Sequence, residues 1–208
     1  MKNLDRNLWK NNTLVCGVDE VGRGAIAGPL VAAAVILPAN CRLTGINDSK
    51  MLTPKQRSIL APLIKSQALG YSIAAVGHQF IEHHNIACAA FWAMRLAVQK
   101  IMLQLEKKIK DENILVLADG WQIPELNLPC QGVIKGDSKS LSIACASIIA
   151  KVFRDELMVK MERRFPGYGF ARHKGYGTME HIRALKRLGP SPIHRQTFEP
   201  VKSLLDCV

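Results

Sequence analysis

The chain has 208 residues, 48% of them hydrophobic and 22% charged, with a formal net charge of +11. That length fits a single domain with a proper core. Residues 1–12 are polar and charged, without the apolar run of a signal peptide. The longest apolar stretch, Ala25 to Leu37, is too short to cross a bilayer and is broken by Gly28 and Pro29, so the expectation is a cytoplasmic chain without a membrane. Cysteines 16, 41, 88, 130, 145 and 207 form no C-x-x-C pair and no metal-ligand spacing with histidine, which argues against zinc or a disulfide framework. Residues 151–208 hold twelve Lys and Arg against six Asp and Glu, whereas residues 61–150 hold eight against seven. A basic C-terminal quarter suits a polyanion such as nucleic acid, although charge alone suits a solvated surface equally well.

In chain order, Thr13 to Val18 reads as a buried strand that ends at Asp19. Leu30 to Leu37 is a second candidate strand, stopped by Pro38, though its alanines leave a helix open. Gly45 to Pro54 reads as a loop, with Thr53 as N-cap and Pro54 as first residue of a short helix. Gly70 to Gly77 is a third strand. Phe91, Met94, Val98, Ile101 and Leu105 recur at helical spacing and predict a long amphipathic helix from about Asn85 to Lys110. Ile114 to Ala118 is a strand stopping at Asp119-Gly120, and Gln131 to Lys135 another stopping at Gly136-Asp137. A helix from about Ser140 to Arg164 is closed by Phe165-Pro166-Gly167. A basic, glycine-punctuated loop, Tyr168 to Thr178, precedes a short helix at Glu180 to Leu188. The pattern is that of an α/β chain with a mixed sheet covered by helices.

Asp19, Asp119 and Asp137 each stand at the expected end of a strand, where the ligand crevice of an open α/β sheet lies. Crowded carboxylates raise one another's pKa values unless a cation neutralises them, and oxygen-only ligands select Mg or Mn. Glu20 complicates this, because neighbours in a regular strand face opposite ways. Both can reach one metal only if the strand ends or bulges there. Each Asp also has a plainer role available, Asp119-Gly120 as a turn and Asp137 as a cap for the next helix. Gly22-Arg23-Gly24 supplies close backbone approach and a guanidinium for phosphate. The run Gly22 to Gly28 lacks dinucleotide-loop spacing, and no P-loop occurs. His83, His84 and His173 read as surface or loop residues.

These residues resemble the ribonuclease HII family, the type 2 ribonucleases H, over about Leu14 to Leu204. The landmarks are Val18 to Gly24, Asn47-Asp48-Ser49-Lys50, Ala118-Asp119-Gly120, Lys135-Gly136-Asp137-Ser138, Ala150 to Asp155, His173 to Thr178, and His194-Arg195 with Phe198-Glu199-Pro200-Val201. The departures are Gly177, where proline is common, and Ala25-Ile26, where proline-leucine is frequent. A ribonuclease HIII is expected to carry an extra N-terminal domain, for which the 18 residues before Asp19 leave no room.

The resemblance implies an RNase H-like mixed β-sheet flanked by helices, with a C-terminal helical extension. It is expected as a single domain over 1–208, with a core at about 13–165 and a basic extension at about 166–208. It implies that Asp19, Glu20, Asp119 and Asp137 are the catalytic, metal-binding carboxylates. Gly22, Arg23 and Gly24 would contact the ribose 2′-hydroxyl and the neighbouring phosphate. Tyr176 would pack at the junction of ribonucleotide and deoxyribonucleotide, and Lys50 would hold backbone phosphate. The implied activity is endonucleolytic hydrolysis of the RNA strand of RNA–DNA hybrids, and cutting 5′ of single ribonucleotides in duplex DNA. Two Mg2+ or Mn2+ ions would leave a 5′-phosphate and a 3′-hydroxyl. The expected partner is an RNA–DNA hybrid or ribonucleotide-containing duplex DNA, bound by a monomer, and the sequence identifies no protein partner.

Overall fold

The computed structural model describes residues 3–11, 13–39, 41–47, 49–109 and 113–206. The apolar run after the N-terminal polar segment forms β1 (Thr13–Val21), and the alanine-rich run forms β2 (Leu30–Ile36), antiparallel to it. All seven residues of β2 are buried, because helices cover both of its faces; that is why the run shows no polar alternation. β3 (Gly70–Val76) pairs antiparallel with β2. β4 (Asn113–Asp119) and β5 (Cys130–Val133) continue the sheet in parallel on the other side of β1, giving the order β3-β2-β1-β4-β5. The fold is the expected α/β mixed sheet flanked by helices.

Helix α1 (Asn3–Lys10) precedes β1 and was not anticipated. α2 (Pro54–Gln67) begins as expected, with Thr53 and Gln56 in a reciprocal capping box, but runs for 14 residues where a short helix was expected. The long amphipathic helix is α3 (His78–Leu105), broken at Asn85, where φ is 66° and ψ 169°. The Asn85 side chain accepts from the N–H groups of Ala87 (2.9 Å) and Cys88 (3.0 Å), so the expected start is an N-cap inside a longer helical run. The helix ends at Leu105, before the expected Lys110, which lies outside the described residues. By length and composition alone α3 could cross a membrane. Here its apolar side, from Ala90 to Leu105, packs on the sheet as a core helix.

Asp137 belongs to a separate one-turn helix, α4 (Gly136–Lys139), and does not cap the helix that follows. α5 (Leu141–Arg164) is capped by Ser140, whose Oγ accepts from the N–H of Ile143 at 3.1 Å. β5 is shorter than expected because the chain turns at Lys135, which takes a left-handed conformation with φ of 54°. Leu30, Ala32, Ala34 and Ile36 of β2 pack with α3, while Val31, Ala33 and Val35 pack with α5 and α2. The predicted loop 168–178 contains α6 (Phe170–His173); α7 (Met179–Leu188) and α8 (Val201–Asp206) follow. This C-terminal segment meets residues 25–27 through isolated bridges, Ala25 to Tyr176 and Ala27 to His194.

Candidate active site

The site forms where β1 outruns β4. The two strands pair only as far as Val18 and Ala118, and β4 ends at Asp119, whereas β1 continues to Val21 in regular register with β2. The expected end or bulge at Asp19 is absent. By strand parity Asp19 lies on the α5 side with Val15, and Glu20 on the α3 side with Cys16 and Val18. They still share one cavity, because the β1 edge beyond Val18 has no strand beside it to separate the two faces.

That cavity, about 240 Å³, is lined by Asp19, Glu20, Gly22, Arg23, Gly24, Lys50, Asp119 and Tyr176 among others. Thus every predicted site residue except Asp137 lines one space. Asp137 is buried and is not part of that lining, but the residue before it is joined to Asp119: the N–H of Gly136 donates to Asp119 Oδ1 at 2.7 Å. A larger cavity of about 590 Å³, between α1 and the 41–52 loop, contains none of the four carboxylates.

The carboxylates are held in a poorly solvated place. Burial pushes Asp19 well above the usual carboxylate range, with Glu20 and Asp119 adding repulsion and hydrogen bonds from Ser147 and the Glu20 backbone opposing it. The backbone N–H of Glu20 donates to Asp19 Oδ1 at 2.7 Å, orienting that carboxylate. Burial also raises Glu20, while Arg23 pulls it back down through an ion pair at 3.3 Å. Among the described residues no three His, Cys, Asp or Glu stand as a preassembled ligand cluster. Oxygen-only donors, desolvated and mutually repelling, nonetheless fit a hard divalent cation of the kind that takes a few carboxylates and completes its shell with water and substrate phosphate.

Two glycines of the motif do different work. Gly22 has φ of +96°, and a Cβ there would collide with the Arg154 guanidinium, so its missing side chain makes room inside the protein and not for a ligand. A Cβ on Gly24 would meet nothing within 4 Å; that face is the open one.

Several residues of the site carried no role in the sequence reading. Ser49, Ser147 and Lys151 line the cavity. The Ser49 and Ser147 hydroxyls are hydrogen-bonded at 2.8 Å, tying the Lys50 loop to α5. Arg57 donates to the Ser49 carbonyl at 2.7 Å and faces Asp155 at 3.6 Å, while Lys151 pairs with Asp155 at 2.7 Å. Lys151 and Arg154 lie over the Tyr176 ring at 5.6 and 5.2 Å. Lys151, Arg154 and Asp155 were visible as one motif, but one helical segment does not disclose which loops it touches. Glu20, Arg23 and Asp119 also border a second cavity of about 270 Å³, lined on its far side by Phe91, Met94 and the exposed Trp121. Asp48 of the Asn47 to Lys50 motif lies outside the described residues.

His173 is buried, not a surface residue. It stacks on His181 with ring centroids 4.1 Å apart, and His181 meets His194 Nε2 to Nε2 at 3.0 Å. Since the Ser191 N–H donates to His194 Nδ1 (2.9 Å) and the Tyr176 carbonyl must accept from His181 Nδ1 (2.9 Å), the pattern assigns the His194 Nε2–H as donor to His181. Both rings are neutral, and burial lowers each to about 4. The relay ends on the backbone of Tyr176.

Comparison with known proteins identifies the family. The family model described as Ribonuclease HII matches residues 16–201. The Ribonuclease HII of Lachnoclostridium phytofermentans is 50% identical over 193 residues, covering 93% of this chain and 72% of that protein. That of Caldicellulosiruptor saccharolyticus is 47% identical over 196 residues, covering 94% of this chain and 92% of that protein. Among solved structures, the ribonuclease H2 from Pyrococcus horikoshii superposes with a TM-score of 0.70 at 26% identity, over 93% of this chain and 98% of that one. With the matched span taking in all four carboxylates, the chain belongs to the ribonuclease HII family, metal-dependent endoribonucleases that cut the RNA strand of RNA–DNA hybrids.

Proposed function

We propose that Asp19, Glu20, Asp119 and Asp137 hold a pair of Mg2+ or Mn2+ ions, and that the enzyme also cuts 5′ of single ribonucleotides embedded in duplex DNA. The observation that carries this reading is the shared cavity, which sets three of the carboxylates against Gly24, Arg23, Lys50 and Tyr176. Held by these four carboxylates, divalent cations would supply an acidified water and charge stabilisation for the leaving 3′ oxygen, and the products would be a 5′-phosphate and a 3′-hydroxyl.

The chain's own residues do the rest. Arg23, half exposed and paired with Glu20 in the free protein, exchanges that partner for a substrate phosphate. The exchange leaves the Glu20 carboxylate for a cation. Lys50, exposed at the cavity edge, holds backbone phosphate. Tyr176 packs against the sugar at the junction, and the open face of Gly24 receives the 2′-hydroxyl, the group that distinguishes RNA from DNA. The basic C-terminal segment, about residues 166–208, grips the duplex without reading sequence.

The test is a DNA duplex carrying one ribonucleotide, incubated with Mg2+ or Mn2+, with an all-DNA duplex and Asp137→Asn as controls. Cutting on the 5′ side of the ribonucleotide, dependent on metal and absent from both controls, is expected. Tight binding without cutting under either metal would leave a hybrid-binding module as the better account.

A further inference from the structure

Resting on the reading of Gly22, Arg23 and Gly24 as the ribose-recognising loop, we infer that Arg195 is a positioning residue that turns the backbone N–H groups of Arg23 and Gly24 into the cavity. Arg195 is fully buried, and among the described residues no carboxylate pairs with it. Its guanidinium is spent on carbonyls: Gly22 at 2.7 Å, Arg23 at 2.9 Å, and Gly28 at 3.0 and 3.1 Å.

The peptide bonds Gly22–Arg23 and Arg23–Gly24 are trans, since Glu199–Pro200 is the cis bond among the described residues. In a trans peptide the N–H points opposite to the C=O. Drawing two successive carbonyls inward therefore sends the next two N–H groups outward. The rest of the loop agrees: the N–H groups of Ile26, Ala27 and Gly28 are consumed by Gly175 and Ile193 carbonyls at 2.9 to 3.2 Å, whereas those of Arg23 and Gly24 make no such bond among the described residues. Two neighbouring outward N–H groups beside a left-handed glycine form a concavity suited to an oxygen ligand.

Arg154 completes the support. It too is fully buried, lies beneath Gly22, and donates to the carbonyls of Pro29 (3.0 Å), Ala27 (3.3 Å) and Lys174 (2.8 Å), so one side chain joins the glycine loop to the Tyr176 loop. A guanidinium spreads five donors over three nitrogens at fixed angles, so Nε, Nη1 and Nη2 of Arg195 each reach a different direction, whereas an ammonium of equal charge has three donors on a single nitrogen. Discrimination of ribose from deoxyribose is thereby set from inside the protein, by a residue that never meets substrate.

The experiment compares wild type with Arg195→Lys. Affinities for a duplex with one ribonucleotide and for its all-DNA counterpart are measured by fluorescence anisotropy with Ca2+ replacing the active metal, beside a thermal melt. The expected result is a folded variant whose preference for the ribonucleotide duplex falls tenfold or more, with all-DNA affinity within about twofold of wild type. A folded variant with an unchanged preference overturns the proposal. Amide exchange by NMR on the wild type tests it without any variant. Arg23 and Gly24 N–H groups should exchange rapidly in the free protein and slow on adding the ribonucleotide duplex; protection already in the free protein overturns the proposal. If both exchange rapidly but ignore the ribonucleotide, the orientation holds and the ribose-reading role falls instead, taking the functional part of the inference with it.

Discussion

The N–H of Gly136 donates to Oδ1 of Asp119 at 2.7 Å, so the residue beside one carboxylate orients another that is 17 positions earlier. This bond joins the end of β4 to α4 and sets the spacing of the Asp119 and Asp137 segments. A Cβ on Gly136 would stand 2.6 Å from Ile143 Cδ1 and 3.2 Å from that same Asp119 oxygen.

Gly136→Ala therefore moves Asp119 without removing any carboxylate. The φ of Gly136 is not in the left-handed region, so alanine meets crowding alone. The expected loss of stability is about 1–3 kcal/mol, the usual cost of overpacking, with turnover on an RNA–DNA hybrid falling roughly 10–100-fold, as small misplacements at a reacting centre do. Steady-state rates beside a urea titration check this; full activity would mean that Asp119 keeps its place without the bond.

Asp19→Asn is expected to abolish turnover yet stabilise the metal-free protein. Asp19 is buried, and its pKa is raised by burial first and by Glu20 and Asp119 next. A carboxyl whose folded pKa lies above its unfolded value costs stability when ionised at neutral pH, a cost relieved as pH falls through the raised value. Removing the charge should therefore raise the stability of the metal-free protein at pH 7. Mg2+ should raise the wild-type melting temperature and do so less in the variant; an equal metal-induced shift in both would exclude Asp19 from the ligand set.

The two motif glycines should separate. Gly22→Ala strains a position with φ of +96° and strikes Arg154, so it is expected to cost about 1–3 kcal/mol and loosen the loop. Gly24→Ala should leave the melting temperature within error but weaken cutting at a single ribonucleotide, because the new methyl enters the open face. Parallel melts and cleavage assays distinguish them; equal destabilisation by both would refute the division.

Acid should undo the histidine relay. His181 and His194 are buried and lowered to about 4 in the folded protein, against an ordinary value of 6.5. A base with a depressed folded pKa leaves the unfolded chain binding more protons between those values. The stability it contributes is then complete above about pH 6.5 and lost as pH falls toward 4, amounting to roughly 3 kcal/mol for one ring. Adding a proton to His181 Nε2 would set two N–H groups against each other where 3.0 Å now separates the nitrogens. Denaturation midpoints measured from pH 7.5 to 4 should fall across this window, and His194→Gln, without an ionisable ring, should flatten the slope. An unchanged slope would show that other groups carry the acid sensitivity.

The sequence by itself determined the local matters. Apolar runs bounded by Pro, Gly or Asp placed β2, β3, β4 and β5 to within two residues at each end and set Asp19 and Asp119 on separate strands, because burial and turn formation are decided over a few residues. Thr53-Pro54 set the start of α2, and Ser140 and Thr178 cap α5 and α7, because capping is a hydrogen bond between near neighbours. The motif blocks were legible as a family signature for the same reason. The tertiary structure decided what depends on residues far apart in the chain. Only the early end of β4 lets Asp19 and Glu20 share a cavity from opposite faces of an unbroken strand. Only the approach of α5 gives Gly22 an internal reason to be glycine, and only the packing of residues 173–195 against the 22–28 loop buries His173 and Arg195. Hydrogen bonds that span 167 to 173 positions, as those of Arg195 do, leave no periodicity in a sequence, since their geometry exists only once the chain has folded.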